Sequence, residues 1–207
     1  MTGRRKTPES IRLAPVWRRR PLLGLVLLVL VGLVVYERGF GRLQTEDDYT
    51  RYHDKVFEVV NIVDGDTLDI NIPDGRHPST RIRLWGVDTP EVAGSRDGAM
   101  HYGAEASAFA KRRLTGRQVR VVLSPTKTRG KYGRLLAYVY LVPSDVMFNE
   151  LLLENGYAYA DWRFPHPYKR QFKAIEKRAC KQGVGLWAEV TFDQKPAWRQ
   201  RMESRRN

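Results

Sequence analysis

Sixteen consecutive uncharged residues, 21–36, lie between Arg18-Arg19-Arg20 and Glu37-Arg38, and no other feature of the 207-residue chain restricts its fold so sharply. As a helix rising about 1.5 Å per residue the run reaches about 24 Å, a little under the roughly 30 Å of a bilayer's hydrocarbon core. Trp17 and Tyr36 stand at its ends, where amphipathic aromatics suit a membrane interface. Leu, Val and Gly occupy every face, which argues against a helix that buries one stripe on a soluble core. A secretory signal is the competing reading, but Val34-Val35-Tyr36-Glu37 makes a poor small-x-small cleavage site. The expectation is an uncleaved transmembrane signal anchor over 21–36, with a secreted protein as the alternative if the run is cut. Seven basic residues precede it, Arg4, Arg5, Lys6, Arg12, Arg18, Arg19 and Arg20. The positive-inside bias therefore makes 1–20 a basic cytoplasmic N-terminus and puts everything after Tyr36 outside the cytoplasm. Residues 37–55 are polar and unpatterned and read as a linker.

The net charge of +13 favours an anionic partner such as nucleic acid or lipid headgroups. It is concentrated at the ends, however. Residues 1–51 carry 10 basic and 5 acidic side chains, residues 195–207 carry 5 and 1, and the long middle carries 21 and 17. The foldable part is only mildly basic, so function has to be argued from a site. Composition does exclude some classes. With 42% hydrophobic and 11% aromatic residues the chain is not disordered throughout. The single cysteine, Cys180, excludes an intramolecular disulfide framework and a cysteine-cluster metal site.

From Val56 the pattern is that of an α+β domain reaching to about residue 190. Strands are expected at 57–63, 67–72, 81–87, 119–123 and 135–142, from β-branched runs and period-two alternation. Asp64-Gly65-Asp66 and Asp74-Gly75 supply the first two turns, and Asp88-Thr89-Pro90 ends the third strand. Helices are expected at 102–114, at 146–154 closed by Asn155-Gly156, and at 167–182 closed by Gly183-Val184-Gly185. Five short strands with a helix between the third and fourth fit a five-stranded barrel of the OB type with three helices. Residues 191–207 make a basic C-terminal tail, expected to fray from Lys195.

Three carboxylates, Asp66, Asp88 and Glu91, fall at strand ends, and Asp64 adds a fourth beside Asp66. Arg83 and Arg134 fall on or beside strands that should neighbour them. Carboxylates with a backbone carbonyl suit a hard cation such as calcium. A cation with two guanidiniums suits a phosphate, and a spare carboxylate could position or deprotonate a water. Each piece alone has an ordinary structural meaning. Asp-Gly-Asp-Thr is a common turn, and an arginine on a strand is usually solvated or surface-paired. His53, His77, His101 and His166 lack metal-ligand spacing and read as surface or core-rim residues.

The order of the pieces is more specific. Val63-Asp64-Gly65-Asp66-Thr67 is followed by Arg83-Leu84-Trp85-Gly86-Val87-Asp88-Thr89-Pro90-Glu91, then by Tyr102-Gly103-Ala104-Glu105-Ala106-Ser107 and by Lys131-Tyr132-Gly133-Arg134-Leu135-Leu136-Ala137-Tyr138. This series closely resembles the staphylococcal nuclease (thermonuclease) family, over about residues 56–187. The resemblance implies a calcium-dependent phosphodiesterase that cuts DNA, RNA or both by in-line attack of water, expelling the 5′ oxygen and leaving a 3′-phosphate. It implies Asp66, Asp88 and the Thr89 carbonyl as calcium ligands and Glu91 as the residue that orients or deprotonates the water. Arg83 and Arg134 would hold the reacting phosphate, Asp64 would support the metal ligands, and Lys131 and Tyr132 would lie near a terminal phosphate of bound nucleotide.

Two departures stand out. Gly130 occupies a place where the family often has an acidic residue, and the two pocket tyrosines of the family are matched by spacing to Trp162 and Phe164. Both rings can stack on a base, and neither offers a hydroxyl. The expected home is a bacterial cell envelope, with a eukaryotic organelle as the alternative. No protein partner is implied, and a monomer is expected. The rival readings are a catalytically silent nucleic-acid-binding barrel and an interaction domain on a membrane stalk.

Overall fold

The computed structural model describes residues 20–95, 98–125 and 127–205, and only the backbone of 20–23 and 37–46. In chain order the elements are α1 (Arg20–Tyr52), β1 (Lys55–Ile62), β2 (Thr67–Ile70), β3 (Thr80–Leu84), β4 (Val87–Asp88), α2 (Gly103–Leu114), β5 (Gln118–Leu123), β6 (Leu135–Leu141), β7 (Val146–Met147), α3 (Phe148–Glu154), β8 (Tyr159–Ala160), α4 (Lys169–Gln182) and α5 (Ala197–Ser204), with a 3-10 turn at Gly185–Ala188 before α5. The chain divides into two units, Met1–Gln44 and Thr45–Asn207.

In the first unit the apolar run is helical, as the start of α1, and its large side chains from Leu25 to Tyr36 are exposed. Among the described residues, though, no helix is long and apolar enough to cross a membrane. The basic N-terminus 1–20 lies outside the described residues except for Arg20, as do the last two residues of the tail.

The second unit is a barrel with helices. Its sheet runs β3-β2-β1-β5-β6-β7, and a further pairing of β3 with β6 closes it. All pairs are antiparallel except β3–β6, which is parallel. The five main strands are those that β-branched runs and alternation indicated, except that the expected strand 81–87 ends at Leu84 and Val87 starts β4 after the turn at Gly86. In β3, Thr80, Ile82 and Leu84 are buried while Arg81 and Arg83 face outward, because successive side chains leave a strand on opposite faces. The core joins Val59, Ile70, Ile82, Val121 and Leu135 from the strands to Phe109, Phe148 and Phe172 from the helices. Burying each such side chain contributes about 1.5–3 kcal/mol, so the helices are held mainly by these rings.

Several expectations change. β2 is buried at all four positions, although alternation suggested a half-buried strand. Asp69 is covered because Arg81 and Asn61 hydrogen-bond its carboxylate from β3 and β1. The expected helix at 146–154 begins as the short strand β7, and α3 starts at Phe148. The expected linker 37–55 is helical through Tyr52, and β1 starts at Lys55. The last turns of α1 have a reason to stay helical. Tyr52 is buried in the core, and the Asp48 carboxylate accepts hydrogen bonds from Thr128 (2.7 Å) and from both Nε and Nη2 of Arg129. Within the described part of the tail, Ala197–Ser204 form α5 where fraying was expected. Trp198 and Arg199 of α5 are buried, which the basic composition of 191–207 gave no reason to expect.

Candidate active site

Strand register gathers the site. Thr67 pairs with Arg83 across β2 and β3, so Asp66 meets Arg83 at the barrel rim. Arg83 in turn pairs with Leu136 of β6, which brings Arg134, two residues earlier, to the same rim. Asp88 follows on β4 and Glu91 on the loop beyond it. Two glycines allow the close approaches. A Cβ on Gly65 would lie 2.8 Å from Cγ2 of Thr89, so the Asp64–Asp66 turn can nestle against Thr89 only as Asp-Gly-Asp. A Cβ on Gly103 would lie 2.1 Å from the Glu91 carbonyl oxygen, so the start of α2 abuts the Glu91 backbone only as glycine.

The Arg83 guanidinium bridges the two aspartates, contacting Oδ1 of Asp66 through Nη1 and Oδ1 of Asp88 through Nη2. Asp66 is 0% exposed. Its Oδ2 accepts the Thr89 backbone N–H at 2.7 Å and the Thr89 hydroxyl at 3.1 Å, and its Oδ1 accepts the Thr67 hydroxyl at 3.1 Å. Asp64 accepts the Asp66 backbone N–H at 2.9 Å, an ordinary Asx turn that also fixes the loop. Burial raises the Asp64 carboxyl above its usual range against the pull of Arg83, Thr67 and Arg134. Glu91 is raised as well, first by burial and then by the negative charges of Asp64 and Asp88.

Arg134 is half-buried, and among the described residues it makes no ion pair. Burial and then repulsion from Arg83 lower its guanidinium below the usual value. A half-buried guanidinium disfavoured by a neighbouring one forms an arrangement that an anion between them would stabilise. Phosphate fits it, since planar donors match its oxygens in pairs.

The donors also fit a hard cation. Asp66 and Asp88 converge closely enough to share one positive group, the Arg83 guanidinium, and both offer carboxylate oxygen. Among the described residues no group of three or more His, Cys, Asp or Glu forms a metal cage. Carboxylate oxygens are donors of the hard-cation kind, not the nitrogen and sulfur set of a structural zinc site.

The nucleotide-contact residues divide. Lys131 and Tyr132 lie on an exposed turn, the Tyr132 ring 72% exposed with the Lys131 ammonium 5.7 Å and the Arg134 guanidinium 5.8 Å from its centre. Phe164 is 44% exposed and stacks on Trp85 at 5.5 Å. Trp162 is different. It is 9% exposed, its Nε1–H donates to the Met202 sulfur at 2.8 Å, and the Arg199 guanidinium lies 4.1 Å from its ring centre. The ring expected to stack on a base is packed against α5 instead.

Sequence reasoning passed over two residues at Asp88. β8 pairs with β4 so that Tyr159 faces Asp88, which carries the following Arg163 to 3.3 Å from Asp88 Oδ1. From α5, Trp198 Nε1–H donates to Asp88 Oδ2 at 2.7 Å. The one local signal for α5 was Pro196 followed by Trp198 and Met202 at i, i+4 spacing. Asp88, Thr89, Glu91 and Arg163 share a cleft of about 930 Å³ with residues of the 193–201 segment.

Residues 81–189 match the protein family described as staphylococcal nuclease homologue. The thermonuclease of Staphylococcus hyicus is 35% identical over 137 residues, covering 66% of this chain and 78% of that protein. The thermonuclease of Staphylococcus intermedius is 33% identical over 164 residues, 79% of this chain and 94% of that one. A micrococcal nuclease of Shigella flexneri is 29% identical over 158 residues, 72% and 83% of the two chains.

Proposed function

The chain belongs to the staphylococcal nuclease family, and on that premise we propose that it is a calcium-dependent nuclease hydrolysing phosphodiester bonds of DNA, RNA or both. The observation that carries this reading is the Arg83 guanidinium set between Asp66 and Asp88 with the half-buried Arg134 beside it, which forms no ion pair among the described residues. The names of the relatives, thermonuclease and micrococcal nuclease, support a nuclease hydrolase.

Asp66, Asp88 and the Thr89 carbonyl would hold the cation. Bound there, calcium supplies positive charge that offsets the carboxylates and polarises a phosphate oxygen. Arg83 and Arg134 donate to the phosphoryl oxygens, whose charge grows as the new bond to phosphorus forms. Glu91 orients the attacking water and takes its proton. The water oxygen bonds to phosphorus as the bond to the 5′ oxygen breaks. That oxygen leaves as a hydroxyl after taking a proton from solvent, and a 3′-phosphate remains. Lys131 and Tyr132 meet the terminal phosphate, and Phe164 offers a ring face to a base.

Independently of the nuclease reading, we propose a monomer whose run 21–36, flanked by basic residues, anchors it with the catalytic domain outside the cytoplasm. The Arg-rich flank and the exposed apolar side chains from Leu25 to Tyr36 support the anchor alone. Digestion of DNA and RNA by the purified protein tests the function. Calcium should support cleavage and excess chelator should stop it, whereas binding without cleavage in calcium would favour a silent binding module.

A further inference from the structure

We propose that α5 is part of the active site and that Trp198 is a positioning residue, holding the Asp88 carboxylate in the orientation that receives the cation. The proposal rests on the assignment of Asp88 as a cation ligand.

A carboxylate turns readily about its last side-chain bond, because that torsion is broad. At Asp88 the two oxygens are treated differently. Oδ2 accepts the Trp198 indole N–H at 2.7 Å, while Oδ1 faces Arg83 and Arg163. An indole N–H donates and cannot accept, so it fixes one oxygen without competing for a cation. The second partner is held in place in turn. Arg163 grips Asp161 through Nε and Nη2, both at 2.8 Å, and its guanidinium lies 4.4 Å from the centre of the Trp198 ring. The next residue, Arg199, ties α5 to Glu176 of α4.

Packing alone would not require this hydrogen bond. Trp162, Trp187 and Trp198 belong to one aromatic cluster. Within it the buried Trp187 Nε1 has no hydrogen-bond partner among the described residues, and Trp162 settles for a sulfur acceptor. The cluster accommodates poorly satisfied indoles, yet Trp198 is aimed at a site carboxylate 110 residues away in sequence. Partners that orient a metal's ligands are commonly worth 10–100-fold in metal affinity.

The test is calcium titration calorimetry on the full chain, comparing wild type with Trp198→Phe and Trp187→Phe. Phe keeps a ring in the cluster and removes the N–H in both variants. Trp198→Phe should weaken calcium binding by about 10-fold or more, while Trp187→Phe binds as wild type does. A folded Trp198→Phe protein with wild-type calcium affinity overturns the proposal. Should that variant not fold, the wild-type chain labelled with ¹⁵N at its five tryptophans decides the question. The Trp198 indole signal should then move on calcium titration while that of Trp187 stays, and a stationary Trp198 signal overturns the proposal. If wild type binds no calcium at all, the assignment of Asp88 to a cation fails first and the positioning role falls with it.

Discussion

Arg199 grips both carboxylate oxygens of Glu176, Nη1 to Oε1 at 2.8 Å and Nη2 to Oε2 at 3.1 Å, with both side chains buried. Glu176 also accepts the Ala160 backbone N–H, so one carboxylate joins α4, α5 and β8. Burial raises the Glu176 carboxyl, with Arg199 opposing. Removing one partner of such a pair leaves a buried charge uncompensated, which typically costs about 3–5 kcal/mol. Arg199→Met should therefore lower unfolding stability by about that amount, and Arg199→Met with Glu176→Leu should recover much of it. Urea unfolding of the three proteins checks both statements.

Calcium affinity should depend on Asp66. Thr67 and Thr89 already hold that carboxylate in place. Asp66→Asn keeps the size and removes the charge, so it should weaken calcium binding by 10-fold or more, an order-of-magnitude figure for losing a charged ligand. Calorimetry of the folded variant reads the change, and an unchanged affinity would remove Asp66 from the cation site.

The barrel and most of the site were legible because their signals are local. Arg81-Ile82-Arg83-Leu84 alternates over a few residues, and the turn Asp64-Gly65-Asp66 announces itself through its own glycine. What escaped detection depends on partners far away in sequence. Trp162 reads as available for stacking because nothing near it in sequence indicates that α5 covers it. The segment from Thr45 to Tyr52 looked like a linker because its helix is held by Arg129 and Thr128, 80 residues on. The strands β4 and β8 have two residues each, too few for any periodicity, and yet their pairing is what brings Arg163 to Asp88.

His166 should give the domain a pH dependence of its own. It lies among the rings of Trp85, Tyr138 and Phe172. Burial holds its imidazole below the usual value, with Asp161 opposing and Lys169 assisting. The unfolded chain, with a histidine pKa of about 6.5, therefore takes the proton more readily than the folded one. This contribution to stability is complete above pH of about 6.5 and is lost as pH falls through that value toward the folded pKa. Thermal midpoints at pH 7.5 and 5.5 should drop more for wild type than for His166→Gln. Equal drops would show that His166 titrates as it does in water.

The anchor reading predicts where a protease can reach. Added to intact spheroplasts, protease should digest the catalytic domain while a cytoplasmic marker survives. Protection until lysis would reverse the proposed orientation. A mature protein that begins beyond Tyr36 would replace the anchor by a cleaved signal.

The most direct measurement of the central claim is single-turnover cleavage, with nucleotide binding in parallel, by folded Arg83→Lys, Arg134→Lys and Glu91→Gln proteins in calcium. Lysine keeps the charge but loses the planar pair of donors, so each arginine variant should lose roughly 10²-fold or more in rate. Glu91→Gln should slow cleavage by roughly 10²-fold or more while leaving nucleotide affinity nearly intact, since Glu91 acts on the water and not on the phosphate. Near-wild-type rates in all three would contradict the assignment of this pocket as the hydrolytic site.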